Sequence, residues 1–266
     1  MIKKLSFLKR YLIFKLKAKH KNGHGIHSPF IYNFLTEIIE NENENFYSFF
    51  EIEKLRFDLL KSKKKIKVKD FGAGSKKNFS SKWRKISDIT KYSSQSSRFG
   101  KLLFRIVNEF KPKTILEIGT SFGIGTSYLA KVNSKNKIFT LEGCEEIINI
   151  AKKNFEILKL KNIYIKKGVF SKTIPEVLKE IKFLDFVFFD GNHRKKQTLE
   201  YFNICLKKSH EKSIFIFDDI HWSKEMEEAW EKIKENKKVK VSLDLFFIGI
   251  IFFRKNLQKQ NYVINF

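Results

Sequence analysis

The stretch Lys113-Thr-Ile-Leu-Glu-Ile-Gly-Thr-Ser-Phe-Gly-Ile-Gly-Thr126 decides how the rest of the chain is read. Ile115, Leu116 and Ile118 form an apolar β-type run, Gly119 and Gly123 break it, and Ile124 to Val132 resumes at helical spacing. A strand, a glycine loop and a helix in that order turn backbone N–H groups and a helix N-terminus toward the carboxyl edge of a sheet, where ligands bind. The stretch is therefore read as a cofactor loop.

Outward from it the pattern is regular. Helices over 98–110, 124–132, 145–159, 173–181, 194–207 and 223–235 alternate with strands over 113–118, 137–142, 162–166, 183–189 and 213–218. Two closing strands, about 238–243 and 246–253, have no helical pattern between them, so they must be antiparallel. The expectation is an α/β fold: a doubly wound, seven-stranded, mostly parallel sheet whose last strand is reversed, preceded by an N-terminal helical extension. Residues 1–95 are assigned to that extension and 96–266 to the α/β domain.

The extension opens on an amphipathic basic helix over 2–19, with Leu5, Leu8, Leu12 and Leu16 at helical spacing. Docking on the protein's own core is the favoured reading, and a membrane surface is the alternative partner. His24 and His27 lie in a glycine loop before a helix from about Phe30 to Glu40. They are read as loop residues, with a lid or substrate contact as the alternative. After a helix over 46–61, Ile66 and Val68 alternate as in a strand and lead to a second glycine signature, Asp70-Phe-Gly-Ala-Gly-Ser75. The following residues 79–97 read as polar helix and loop, without the acidic-ended strand that a nucleotide fold requires, so 70–75 is taken as a turn.

Composition narrows the partners. The chain has 266 residues, 42% of them apolar, enough for one sizeable domain with an appendage. A net charge of +25 would suit nucleic acid, yet only 7 of the 54 basic residues are Arg, the residue that bidentate phosphate recognition favours. The excess reads as lysine filler on the surface, and nucleic acid is disfavoured as a partner. Cys144 and Cys205 stand far apart with no metal-ligand spacing around either, which fits a reduced, cytoplasmic protein. No apolar run reaches the roughly 18 residues a bilayer span needs.

The strand 137–142 ends in Glu142, 23 residues after Gly119, where a carboxylate can accept hydrogen bonds from both hydroxyls of a ribose. The loop lacks the G-x-G-x-x-G order of dinucleotide sites, and Glu117 before it would repel a pyrophosphate but suit an ammonium. Two further apolar strands end in acid, Leu184 to Asp190 and Ile214 to Asp218-Asp219. Carboxylates gathered at one sheet edge repel unless a cation joins them, and Asp190, Asp218 and Asp219 form an all-oxygen set that suits Mg²⁺.

These features together resemble the class I S-adenosylmethionine-dependent methyltransferases, and among them the metal-dependent catechol O-methyltransferase group. The resemblance runs from about Ser96 to Arg254 and includes the glycine loop, the acidic strand end, Asp190-Gly-Asn-His193 and Asp218-Asp219. His27-Ser-Pro-Phe30 and residues 70–75 look like the leading region of a group of bacterial methyltransferases. The resemblance implies that Gly119, Ser121 and Gly123 line the methionine end of the cofactor and that Glu117 faces its ammonium. Glu142 would hold the ribose, and Phe170 and Ser171 would touch adenine. It also implies that Asp190, Asp218 and Asp219 hold the metal. His193 takes the place of the catechol enzymes' lysine base, and histidine titrates near neutrality. Two departures stand out: Gly125 replaces a usual Ser or Thr, for which Thr126 or Ser121 could substitute, and Asp219 replaces Asn. The expected activity is methyl transfer to a small hydroxylated substrate. A nucleic-acid methyltransferase and a non-catalytic binding protein of the same fold are the rivals; the Asn/Asp-Pro-Pro-aromatic motif of base-amino methylation is absent.

Overall fold

A computed structural model describes residues 2–42, 46–69 and 81–266. The chain begins with α1 (Ile2–Lys17), α2 (Pro29–Asn33) continuing as a π-helical stretch (Phe34–Ile39), and α3 (Tyr47–Lys61). Next come β1 (Lys65–Lys69), β2 (Ser81–Lys85), α4 (Ile86–Ser93) and α5 (Ser97–Phe110). The alternating part follows as β3 (Thr114–Ile118), α6 (Ile124–Ala130), β4 (Lys137–Glu142), α7 (Glu145–Ile157), β5 (Ile163–Lys167), α8 (Phe170–Glu180) and β6 (Leu184–Phe189). It closes with α9 (Lys195–Leu206), β7 (Ser209–Asp218), α10 (Lys224–Glu235), β8 (Val241–Asp244), β9 (Ile248–Phe252) and β10 (Gln260–Val263).

Eight strands form one sheet in the order β10-β8-β9-β7-β6-β3-β4-β5. It is mostly parallel, as expected, and its reversed strand is β9, which pairs antiparallel with both β7 and β8. The strand beyond the expected seven is β10, paired parallel with β8. Its sequence Gln-Asn-Tyr-Val lacks the apolar alternation that marks a strand, so the pairing, not the pattern, makes it one. A second difference lies upstream. Residues 81–85, expected as helix or loop, pair with β1 in a separate antiparallel ribbon, Lys65 opposite Lys85 through Lys69 opposite Ser81. The strand Ser-Lys-Trp-Arg-Lys is held by its neighbour, whose Ile66 and Val68 are buried. The glycine signature at 70–75 lies outside the described residues.

Packing divides the chain into two compact units, Met1–Glu42 with Phe183–Phe266, and Asn43–Lys182. This is a division by packing, not the division by sequence pattern at residues 95/96. In the 43–182 unit, Ser96 caps α5 by accepting the Phe99 N–H at 3.4 Å, and Lys111 ends the helix in the left-handed conformation. Gly100 lets α5 approach α6: a Cβ there would lie 2.3 Å from the Tyr128 ring. In the other unit, β6 and β7 pair in parallel and stack Phe189 on Phe217 at 4.3 Å. Trp230 of α10 lies over Gly249 of β9, where a Cβ would come within 2.7 Å of the indole.

Candidate functional site

In the 43–182 unit the glycine loop departs from β3 at Gly119, and the Gly119 and Thr120 N–H groups both donate to the Leu141 carbonyl at 3.1 Å. Positive φ at Gly119, Ser121 and Gly123 curls the loop back before α6 begins. Gly123 is required twice over, by its φ of +75° and by the Phe155 ring, 2.3 Å from where a Cβ would stand. Glu142 lies at the end of β4. Its Oε2 accepts the Ser121 N–H at 3.2 Å, while Oε1 accepts the Gly143 N–H at 2.8 Å and the Cys144 N–H at 3.0 Å. Burial raises the pKa of this carboxyl and the three N–H donors oppose the rise.

Glu117 is nearly fully buried on β3. Parallel pairing sets it opposite Thr140 of β4, whose hydroxyl donates to Glu117 Oε2 at 2.5 Å and meets the Thr120 hydroxyl at 2.7 Å. Thr126 also donates to Oε2. Burial pushes the Glu117 carboxyl up to about 7, against the pull of the two threonines. Of the two hydroxyls that could replace a side chain at Gly125, Thr126 is thus engaged by Glu117, whereas the Ser121 hydroxyl is buried with no hydrogen-bond partner among the described residues. Phe170 and Ser171 open α8 just after Gly168, which has φ of +149°. Thr120, Thr140 and the Gly143 and Cys144 N–H groups belong to this site and escape a single-strand reading, because the strand register alone aligns Thr140 with Glu117.

In the other unit, Asp190 follows β6 and Asp218 ends β7, with Asp219 next to it at a left-handed φ of 56°. Asp218 and Asp190 are hydrogen-bonded through their carboxyls. Burial first, then the charges of Asp190 and Asp219, raises the Asp218 pKa well above the carboxylate range. His193 stands between the other two, Nε2 at 3.8 Å from Asp190 Oδ1 and Nδ1 at 3.9 Å from Asp219 Oδ2. Both separations allow charge attraction and exceed hydrogen-bond reach. Asp190, Asp218, Asp219 and His193 are therefore brought together. Among the described residues no three His, Cys, Asp or Glu side chains are arranged to hold a metal ion. His221 is committed elsewhere, its Nδ1 2.9 Å from Glu227 and its Nε2 2.8 Å from Asp244. His24 and His27 are exposed in their loop.

A family model for a methyltransferase domain matches residues 116–220, a span that contains every candidate residue named above from Glu117 to Asp219. Those residues are similar to a methyltransferase domain. A catechol O-methyltransferase from Niastella koreensis is 28% identical over 130 residues, covering 48% of this chain and 58% of the relative, so the chain spans less than two thirds of that relative's length. Solved structures of low identity share the fold. An O-methyltransferase from Bacillus cereus in complex with SAH matches with a TM-score of 0.57 at 19% identity, over 82% of this chain and 96% of its own. An SAH-bound methyltransferase from Podospora anserina gives 0.59 at 14% identity, over 86% and 97%. The chain thus has the α/β methyltransferase fold, with β9 as its reversed strand and α1 ahead of it. No described helix is long and apolar enough to cross a membrane.

Proposed function

We propose that the methyltransferase domain transfers the sulfonium methyl of S-adenosylmethionine to an oxygen of a small hydroxylated acceptor. The observation that carries this reading is Glu142, a carboxylate clamped by three backbone N–H groups at the end of β4 beside the glycine loop. Oε2, which accepts only the Ser121 N–H, keeps a lone pair for a ribose hydroxyl, whereas Oε1 already accepts two N–H groups. Glu117 would meet the cofactor's ammonium, and its buried carboxyl ionises most readily when a cation arrives. The unpartnered Ser121 hydroxyl would donate to the methionine carboxylate, with Gly119 and Gly123 leaving room beside it. Phe170 and Ser171 would flank adenine.

The donors are all oxygens, the type Mg²⁺ takes, and burial first, then the charges of Asp190 and Asp219, holds Asp218 toward its protonated form until a cation answers them. Asp190, Asp218 and Asp219 would hold the ion, which supplies positive charge that acidifies an acceptor hydroxyl. His193, 3.8 Å from Asp190 and 3.9 Å from Asp219, would take the acceptor proton on a ring nitrogen. Methyl transfer itself needs little from the protein beyond holding oxygen, carbon and sulfur in line.

The test is methyl transfer from labelled S-adenosylmethionine into a small-metabolite extract and, separately, into RNA. Label in hydroxylated metabolites supports the proposal. Label in RNA alone would favour the reading suggested by the +25 charge, and cofactor binding without transfer to either would mark a binding protein.

A further inference from the structure

Helix α1 carries two apolar faces, and the protein buries one of them. Phe7, Tyr11 and Phe14 converge on the buried Phe246 ring at 5.4, 4.9 and 5.2 Å. Arg10, on the same side, donates to the Trp222 carbonyl at 3.3 Å. Leu8, Leu12 and Leu16 recur at i, i+4 and i+8, which puts them in a line on another face of the helix. They are 54%, 55% and 84% exposed, and Ile13 is 41% exposed. Single exposed leucines are ordinary, but an unpartnered line of three along one helix is a contact surface.

Charge identifies what the surface would meet. Helical spacing sets Lys9 and Lys15 on opposite flanks of the leucine line, and Lys17 and Lys19 continue the basic run. No Asp or Glu precedes Glu37. We propose that α1 seats the chain on an anionic lipid bilayer surface, its leucines in the boundary between headgroups and acyl chains and its lysines against the headgroups. A second copy is the weaker occupant, because self-pairing would bring lysine-flanked leucines against the same lysines with no carboxylate on the helix to answer them. The acidic cluster and the cofactor loop play no part in this inference.

The full chain is mixed with vesicles of phosphatidylcholine alone and of phosphatidylcholine with phosphatidylglycerol, and bound protein is measured by sedimentation. It should follow the anionic vesicles only, and added salt should weaken binding. The L8Q/L12Q/L16Q variant keeps good helix formers at exposed positions, so circular dichroism should be unchanged while partitioning falls at least about tenfold. Protein left in the supernatant with anionic vesicles at low salt would overturn the proposal. So would a triple variant that binds like the parent, since generic surface charge would then suffice. A dimeric parent with a monomeric triple variant would assign the face to a second copy.

Discussion

The Ser121 backbone N–H donates to Glu142 Oε2 at 3.2 Å, which ties the tip of the glycine loop to the end of β4. The carboxylate proposed to hold the ribose therefore also holds the loop that receives the rest of the cofactor. Glu142→Ala should weaken S-adenosylmethionine binding by on the order of 1–3 kcal/mol, the usual cost of losing a charge-assisted acceptor. Glu142→Gln, which keeps an acceptor oxygen, should lose less. Calorimetry that finds NAD bound more tightly than S-adenosylmethionine would remove the basis of both expectations.

Glu117 makes stability and binding respond to pH in opposite senses. Its folded pKa of about 7 lies above the ordinary 4.5, so the native state binds the proton more tightly than the unfolded chain. The resulting stabilisation is fully present below the unfolded value and is lost as pH rises through about 7, a difference of roughly 3 kcal/mol. Denaturant titrations should show this slope, and Glu117→Gln should flatten it. Cofactor affinity should instead rise over the same range, since an ammonium favours the ionised carboxylate. Calorimetry near neutral pH in buffers of different ionisation enthalpy should then detect proton release on binding; release that persists in Glu117→Gln would refute the assignment.

If His193 takes the acceptor proton, His193→Ala should lower kcat by about 10²–10⁴ with cofactor affinity nearly unchanged. The ascending limb of the pH–rate profile should go with it. A fall of under about fivefold with an intact profile would take the role from this residue. His221 could not inherit it while Glu227 and Asp244 occupy both its ring nitrogens.

Exhaustive chelation should abolish turnover and Mg²⁺ should restore it, with Asp218→Asn losing both responses. Undiminished turnover in excess chelator would leave the acidic cluster as a proton-sharing group rather than a cation site.

Phe246 should prove a structural keystone for α1. It receives Phe7, Tyr11, Phe14 and the stacked His221 ring while holding a left-handed φ of 70°, a costly conformation for an aromatic residue. Phe246→Ala should cost about 3–5 kcal/mol in a denaturant melt. It should also make α1 the first segment cut by protease. A loss below about 1 kcal/mol would show that the surrounding rings collapse into the gap.

The alternating half of the chain was readable because β3, β4, β6 and β7 carry apolar runs, and three of these run into an acidic residue. Glu142, Asp190 and Asp218 all stand at such ends. What pairing creates was not readable: β2 and β10 are polar strands that exist through their neighbours. The same limit hid the Glu117–Thr140 contact, which needs the β3–β4 register. Helix spacing alone likewise could not say which apolar face of α1 packs, because both faces carry large side chains and the choice depends on Phe246, far along the chain.

One compact unit joins residues 1–42 to residues 183–266 across the intervening stretch of chain. On a ribosome α1 emerges ahead of Trp222, Phe246 and Phe247, which follow roughly two hundred residues later. At about 5–20 residues per second the wait is roughly 10–40 s. For that interval the nascent helix has both its phenylalanine face and its leucine face uncovered, and the 43–182 unit can complete its own fold while the N-terminal segment remains a tether in search of a dock.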